Sequence, residues 1–304
     1  LLMDAPPQTE NLTAWLDVGK HLIDLGLRPP AVLCSDVTHG FALIEDFGDQ
    51  TFTRLLDAGM APDELYAQAI DLLTHLHRQP NAFLDTLKPY DLDALMAEVI
   101  LLPDWFLPLI FGKPIAAEDR NRYRQIWEQV FASLPTPAIS LVLRDFHVDN
   151  LIRLPAATAP HTVGLLDFQD ALIGPMAYDL MSLLEDARRN LPPSLAEQMQ
   201  QRYFQAMPLL EMENFKLWYR ILAAQRHCKV AGIFSRLALR DNKPNYLAHI
   251  PRVLSLLQMH LDEPLLQPLA DWLRTHGIAG DPPEMPADYR PIRRALNLGD
   301  GATD

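Results

Sequence analysis

Asp145 and Asn150 stand five positions apart in the run Leu143-Arg144-Asp145-Phe146-His147-Val148-Asp149-Asn150, and Asp167-Phe168 follows after a second apolar run. These types and spacings could carry phosphoryl transfer. That chemistry asks little covalent work of a protein. It needs one carboxylate to orient an attacking hydroxyl and accept its proton, and oxygen ligands for a divalent ion bridging phosphates. Asp145 fits the base, and Asn150 and Asp167 fit the ion's ligands. Read singly, Asp145 and Asn150 are loop caps and Asp167 is a turn residue. Read together, at the ends of successive short strands, they match the order such a centre requires.

The elements that must position them are legible from periodicity. Ser140 to Leu143, Leu151 to Leu154 and Val163 to Leu166 read as short strands, the last two joined by the Pro-Ala-rich loop 155–160. Upstream, Leu1 to Met3 reads as the tail of a strand already under way, and an N-terminal truncation is expected. Leu12, Trp15, Leu16, Leu22, Ile23 and Leu25 predict an amphipathic helix that stops at Gly26. Ala31 to Cys34 and Phe41 to Ile44 predict a hairpin. Residues 50–135 are expected to be mostly helical, with a stripe at Leu65, Ala69, Leu72, Leu73 and Leu76. After Pro175 helices continue to about Leu273, and the tail from Pro282 is expected to pack loosely. The division expected is residues 1–48 as the remnant of an N-terminal nucleotide-binding lobe with its hinge, and 49–304 as a catalytic and acceptor-binding lobe.

The bulk numbers narrow the class. The 304 residues carry a net charge of -13, from 26 Lys and Arg against 39 Asp and Glu. That weighs against a nucleic-acid or anionic-membrane surface. Two cysteines, Cys34 and Cys228, make no disulfide framework and fit a reducing compartment. The most apolar stretch, Val99 to Phe111, is interrupted by Pro103, Asp104 and Pro108, so no spanning helix is expected.

The Asp145 stretch resembles the aminoglycoside phosphotransferase and choline kinase family, whose motif is close to His-Gly-Asp-x-His-x-x-x-Asn followed by Ile-Asp-Phe. Leu143 and Arg144 replace the first His and the Gly. The resemblance implies an α+β, protein-kinase-like two-lobe fold with a truncated N-terminal lobe and a mainly helical C-terminal lobe. It also implies ATP and Mg²⁺ as cofactors, with Asp145 as catalytic base and Asn150 and Asp167 as metal ligands. His147 matches the motif's second His and is taken as acceptor-side. Asp179, in Gly174-Pro-Met-Ala-Tyr-Asp-Leu180, is expected to hold the catalytic loop from a helix start. Several segments, among them Leu166 to Ala171 and Gln225 to Leu237, resemble the bacterial anomeric kinases of N-acetylmuramate and N-acetylglucosamine. That branch implies a cytoplasmic enzyme of cell-wall recycling with a small sugar as its partner and no nucleic acid, membrane or protein partner.

Asp46-Phe47-Gly48 spells a kinase metal motif but precedes Asp145, whereas that motif should follow the catalytic loop. Glu45 to Phe47 reads instead as the hinge, with Glu45 and Phe47 contacting nucleotide through the backbone, or as a plain turn. No Gly precedes Gly19, so the phosphate-covering loop is expected upstream, and Glu10 is the one candidate for the helix Glu that pairs a phosphate-binding cation. Glu98, Trp105 and Arg226 are candidates for the acceptor pocket. The plainer readings are a solvated helix residue for Glu98, a core residue for Trp105, and structural carboxylate pairing for Arg226. The function classes left open are a sugar kinase, a kinase for an aminoglycoside or choline, and an inactive kinase-like binding or regulatory protein.

Overall fold

The computed structural model describes residues 1–80, 82–84, 86–154, 161–278, 283–286, 288–296 and 298. The Pro-Ala-rich loop 155–160 therefore lies outside the described residues. The chain divides into two compact units. One comprises Leu1–Pro89, Pro137–Asp186 and Leu191–Phe215, and the other Tyr90–Thr136, Ala187–Asn190 and Lys216–Asp304. The lobe boundary expected at residue 48 falls inside the first unit.

The first unit opens with β1 (Leu2–Asp4), α1 (Leu12–Asp24), β2 (Val32–Asp36) and β3 (Phe41–Ile44). The three strands form an antiparallel sheet in the order β1-β3-β2. Asn11 starts α1, its side chain accepting the Ala14 N–H at 3.0 Å. The helix ends at Gly26, at φ 76, where Leu27 N–H closes onto the Leu22 carbonyl at 2.8 Å. Glu10 lies in the turn before this helix and not within it, because Asn11 takes the cap. Next come α2 (Phe52–Asp57) and α3 (Pro62–His77). Pro62 at the first turn and Asp63 and Glu64 beside it favour the start of α3, and Leu65, Ala69, Leu72, Leu73 and Leu76 are buried along one stripe.

In the second unit α4 (Leu92–Val99), a π-helical turn (Leu102–Phe106) and α5 (Leu107–Phe111) form one helical run of 20 residues. Pro103 and Pro108 do not break it. Each falls in the first turn of a new segment, where a missing N–H is tolerated, and the π turn absorbs the irregularity. This run is long and apolar enough to cross a membrane by length and composition, contrary to expectation. Leu102, Phe106, Leu107 and Leu109 are nonetheless buried in a core shared with α6 (Ala117–Ala132).

The first unit resumes with β4 (Ile139–Val142), β5 (Leu151–Arg153), β6 (Val163–Leu165) and β7 (Leu172–Pro175), then α7 (Ala177–Leu184) and α8 (Pro193–Ala206). β4 pairs with β7, and β5 with β6, both antiparallel. α9 (Met212–Leu239) begins in the first unit and from Lys216 belongs to the second. There it packs tightly: a Cβ on Gly232 would lie 2.3 Å from the Leu101 carbonyl carbon. α10 (Ile250–Gln258), α11 (Gln267–Thr275) and α12 (Arg290–Ala295) complete the second core. The tail is less loose than expected, because Ile292 and Arg293 of α12 are buried.

Candidate active site

Two strand ladders fix the loops that matter. The chain leaves β4 at Val142, paired with Leu172, and enters β5 at Leu151, paired with Leu165. Loops 143–150 and 166–171 therefore start and finish on the same two ladders. Leu166 N–H donates to the Asn150 carbonyl at 3.0 Å, extending the β5–β6 pairing by one residue. That register brings Asn150 beside Asp167. Asn150 Nδ2 donates to Asp167 Oδ2 at 3.3 Å and to the Asp145 carbonyl at 3.0 Å. Asn150 N–H donates to the His147 carbonyl at 2.9 Å. Asp145, Asn150 and Asp167, read from spacing alone, are thus one hydrogen-bonded group.

The course of the first loop is set from beneath. Asp179, on the first turn of α7 and 1% exposed, accepts the N–H of Leu143 at 2.6 Å and of Arg144 at 3.0 Å. Arg144 sits at φ 68, a left-handed conformation that costs an L-residue about 1–2 kcal/mol. It stands where the family motif has Gly, which adopts this conformation freely. Two charge-assisted bonds from Asp179 hold the turn against that cost.

Asp167 is also left-handed, at φ 56, and Gln169 Nε2 donates to its Oδ1 at 2.8 Å. Phe168 points the other way, 1% exposed, stacked on Trp15 of α1 at 5.2 Å. Gly19 lets that ring approach, since a Cβ there would lie 3.4 Å from it. The stack ties the Asp167 loop to α1. A cleft of about 350 Å³ runs between them, lined by Asp4, Pro6, Glu10, Asn11, Asp167 and Gln169 among others. Asn150 and Asp167 meet on converging loops with Asp167 at the cleft, and a carboxylate and an amide oxygen are hard donors of the kind Mg²⁺ takes. The residues present fit such an ion.

The other expected residues fall in several places. Glu45 is tied to Arg28 at 2.8 Å and accepts the Ala31 N–H at 3.1 Å. The Phe47 ring lies under the Arg28 guanidinium, 5.4 Å from its centroid, and against Gly164. Their side chains are engaged in shaping this segment. Asp46 closes the turn at Gly48, accepting its N–H at 2.7 Å. His147 is buried in the first loop, while Glu98, Trp105 and Arg226 belong to the second unit. Trp105 is half-buried against that unit's core. Glu98 accepts from Tyr90, from Gln225 at 2.8 Å and from Lys229 at 2.7 Å. Neither Gln169 nor Thr53, which donates to Asp149, was singled out by sequence reasoning. Gln169 had a signal, standing two residues after Asp167; Thr53 had none.

The Phosphotransferase enzyme family model matches residues 1–230. The N-acetylmuramate/N-acetylglucosamine kinase of Caulobacter vibrioides is 35% identical, the match covering 81% of this chain and 70% of that protein. Among solved structures, a choline/ethanolamine kinase family protein from Mesorhizobium loti superposes with a TM-score of 0.56 at 14% identity, covering 87% of this chain and 82% of that one. The ADP-bound aminoglycoside phosphotransferase APH(2″)-Ib gives 0.50 at 16% identity, covering 84% and 83%. These likenesses make the fold protein-kinase-like. With a family match over most of its length, the chain belongs to the phosphotransferase enzyme family and is a small-molecule kinase.

Proposed function

We propose that this protein transfers the γ-phosphoryl group of ATP to a sugar hydroxyl, the anomeric hydroxyl of N-acetylmuramate or N-acetylglucosamine. The observation that carries the phosphotransfer reading is the bonded group Asp145–Asn150–Asp167 on two ladder-fixed loops. The acceptor is supported by the 35% identical Caulobacter vibrioides kinase and the nucleotide by the ADP-bound neighbour.

Asp145 orients the acceptor hydroxyl and takes its proton as the new O–P bond forms. The bond from the γ-phosphorus to the β,γ-bridging oxygen breaks in line, and ADP leaves. Asn150 and Asp167 would hold the divalent ion, which neutralises charge on the β- and γ-phosphates. Gln169 keeps the Asp167 carboxylate turned to the cleft, and Asp179 keeps Asp145 at its post. The Glu45–Phe47 backbone meets the adenine edge. His147 serves the acceptor side. Glu98 fixes Gln225 and Lys229 on the helix that carries Arg226. Two free thiols, Cys34 exposed and Cys228 buried, accord with work in a reducing compartment.

The test is ATP consumption by the chain with N-acetylmuramate, N-acetylglucosamine, choline and an aminoglycoside in parallel. Turnover with the amino sugars is expected. Turnover with choline or the aminoglycoside alone would keep the chemistry and overturn the acceptor.

A further inference from the structure

β5 has a neighbour on each side. β6 pairs along one edge, Ile152 opposite Gly164. Along the other runs the segment 50–53, where the Arg153 N–H donates to the Gln50 carbonyl at 2.9 Å and Thr51 bridges Ile152 antiparallel. Two residues on, Thr53 reaches the turn that leads into Asn150. Its N–H lies in the first turn of α2, where no partner exists inside the helix, and it donates to the Val148 carbonyl at 3.3 Å. Its hydroxyl donates to Asp149 Oδ1. Phe52, fully buried beside it, pins the segment. Thr53 thus grips two consecutive residues of the first loop from an element that is itself fixed.

Asn150 is held on both flanks. After it, Leu151 pairs with Leu165, and the Asn150 carbonyl accepts the Leu166 N–H at 3.0 Å. Before it stand the two Thr53 bonds. The side-chain bond is the stronger kind, because a carboxylate accepts it. Asp149 Oδ2 lies 3.9 Å from His147 Nδ1, too far for a hydrogen bond. With the Thr53 hydroxyl removed, the turn before Asn150 gains freedom to pivot about its ladder end. That motion would carry the Asn150 amide away from Asp167 Oδ2, which it meets at 3.3 Å.

We propose that Thr53 is a positioning residue of the phosphotransfer centre: its hydroxyl, through Asp149, sets the placement of Asn150 that divalent-ion binding requires. The proposal rests on the phosphotransfer reading and adds to it a residue 96 positions upstream of Asp149. Groups that orient a ligand without touching the ion change metal affinity or activity by about 10–100-fold when removed.

The experiment compares the chain with Thr53→Val, which keeps the shape and removes the hydroxyl, and with Thr53→Ser, which restores it. ADP binding is followed by calorimetry without Mg²⁺ and across a Mg²⁺ series, beside urea unfolding and turnover of ATP with N-acetylglucosamine. Thr53→Val should raise the Mg²⁺ concentration for half-maximal ADP binding about tenfold and lower kcat about tenfold, with Mg²⁺-free ADP affinity unchanged. Thr53→Ser should stay within about threefold of the parent. Asp149→Ala severs the same bond from its other end and should show the same Mg²⁺ shift even if Thr53→Val fails to fold. An unchanged Mg²⁺ dependence in either variant, with only the urea midpoint lowered, would make the bond structural alone and overturn the proposal. So would a Thr53→Ser variant as impaired as Thr53→Val. A parent chain with neither Mg²⁺-dependent ADP binding nor turnover would overturn the phosphotransfer reading itself, and this proposal with it.

Discussion

Asp179 and Glu98 are both buried carboxylates, 1% and 8% exposed, and each holds a different kind of donor. Asp179, in the first unit, receives backbone N–H groups from two consecutive loop residues. It thereby dictates a path of the chain. Glu98, in the second unit, receives side chains, among them those of Tyr90, Gln225 and Lys229. It dictates rotamers on helices whose course is already set by their own hydrogen bonds. The first arrangement positions a loop that carries chemistry. The second satisfies a buried charge and orders one patch of a helical core.

The same contrast explains what was legible in sequence. Asp179 lies in a short motif, and the loop it holds is bounded by strands whose apolar runs are visible. Asp145, Asn150 and Asp167 could be read because strand register turns a fixed spacing into proximity. β7 was missed, since Leu172–Pro175 is four residues ending in Gly-Pro and lacks alternation. Arg144 hid the left-handed turn that Gly would have announced. The Glu98 network unites residues 127 and 131 positions apart, which no local pattern reveals. Glu10 precedes α1 because Asn11 takes the cap, a bond that apolar periodicity does not show.

Breaking the comparison on the Glu98 side should cost most. Glu98→Ala breaks the 2.7 Å ion pair with Lys229, 12% exposed, and should lose about 3–5 kcal/mol in urea unfolding. Adding Lys229→Met should recover much of it, which a carboxylate acting on substrate alone would not predict. Asp179→Asn keeps the shape but turns an acceptor into a donor facing a backbone N–H. A loss of about 2–3 kcal/mol is expected, together with faster amide exchange at Leu143 and Arg144.

The interior of the first unit also sets a pH dependence. His77 is held neutral by burial, its pKa lowered from 6.5 to about 3. Between these values the unfolded chain binds the extra proton, so stability rises with pH and is lost as pH falls below 6.5. The slope should approach about 1.4 kcal/mol per pH unit in that window, and His77→Phe should remove it.

The smallest effect sharpens the account of the loop. Arg144→Gly relieves the left-handed backbone but adds freedom to the unfolded chain, a net gain of about 0.5–1 kcal/mol. Arg144→Ala should give no such gain. A rise in urea midpoint for glycine alone assigns the strain to the backbone.

The most direct measurement is steady-state turnover of Asp145→Asn with ATP and N-acetylmuramate, beside its thermal midpoint and its affinity for ADP. The carboxylate as proton acceptor predicts a fall in kcat of about 10²–10⁴-fold, with the midpoint and ADP affinity unchanged. A variant that turns over within about threefold of the parent would contradict that role for Asp145.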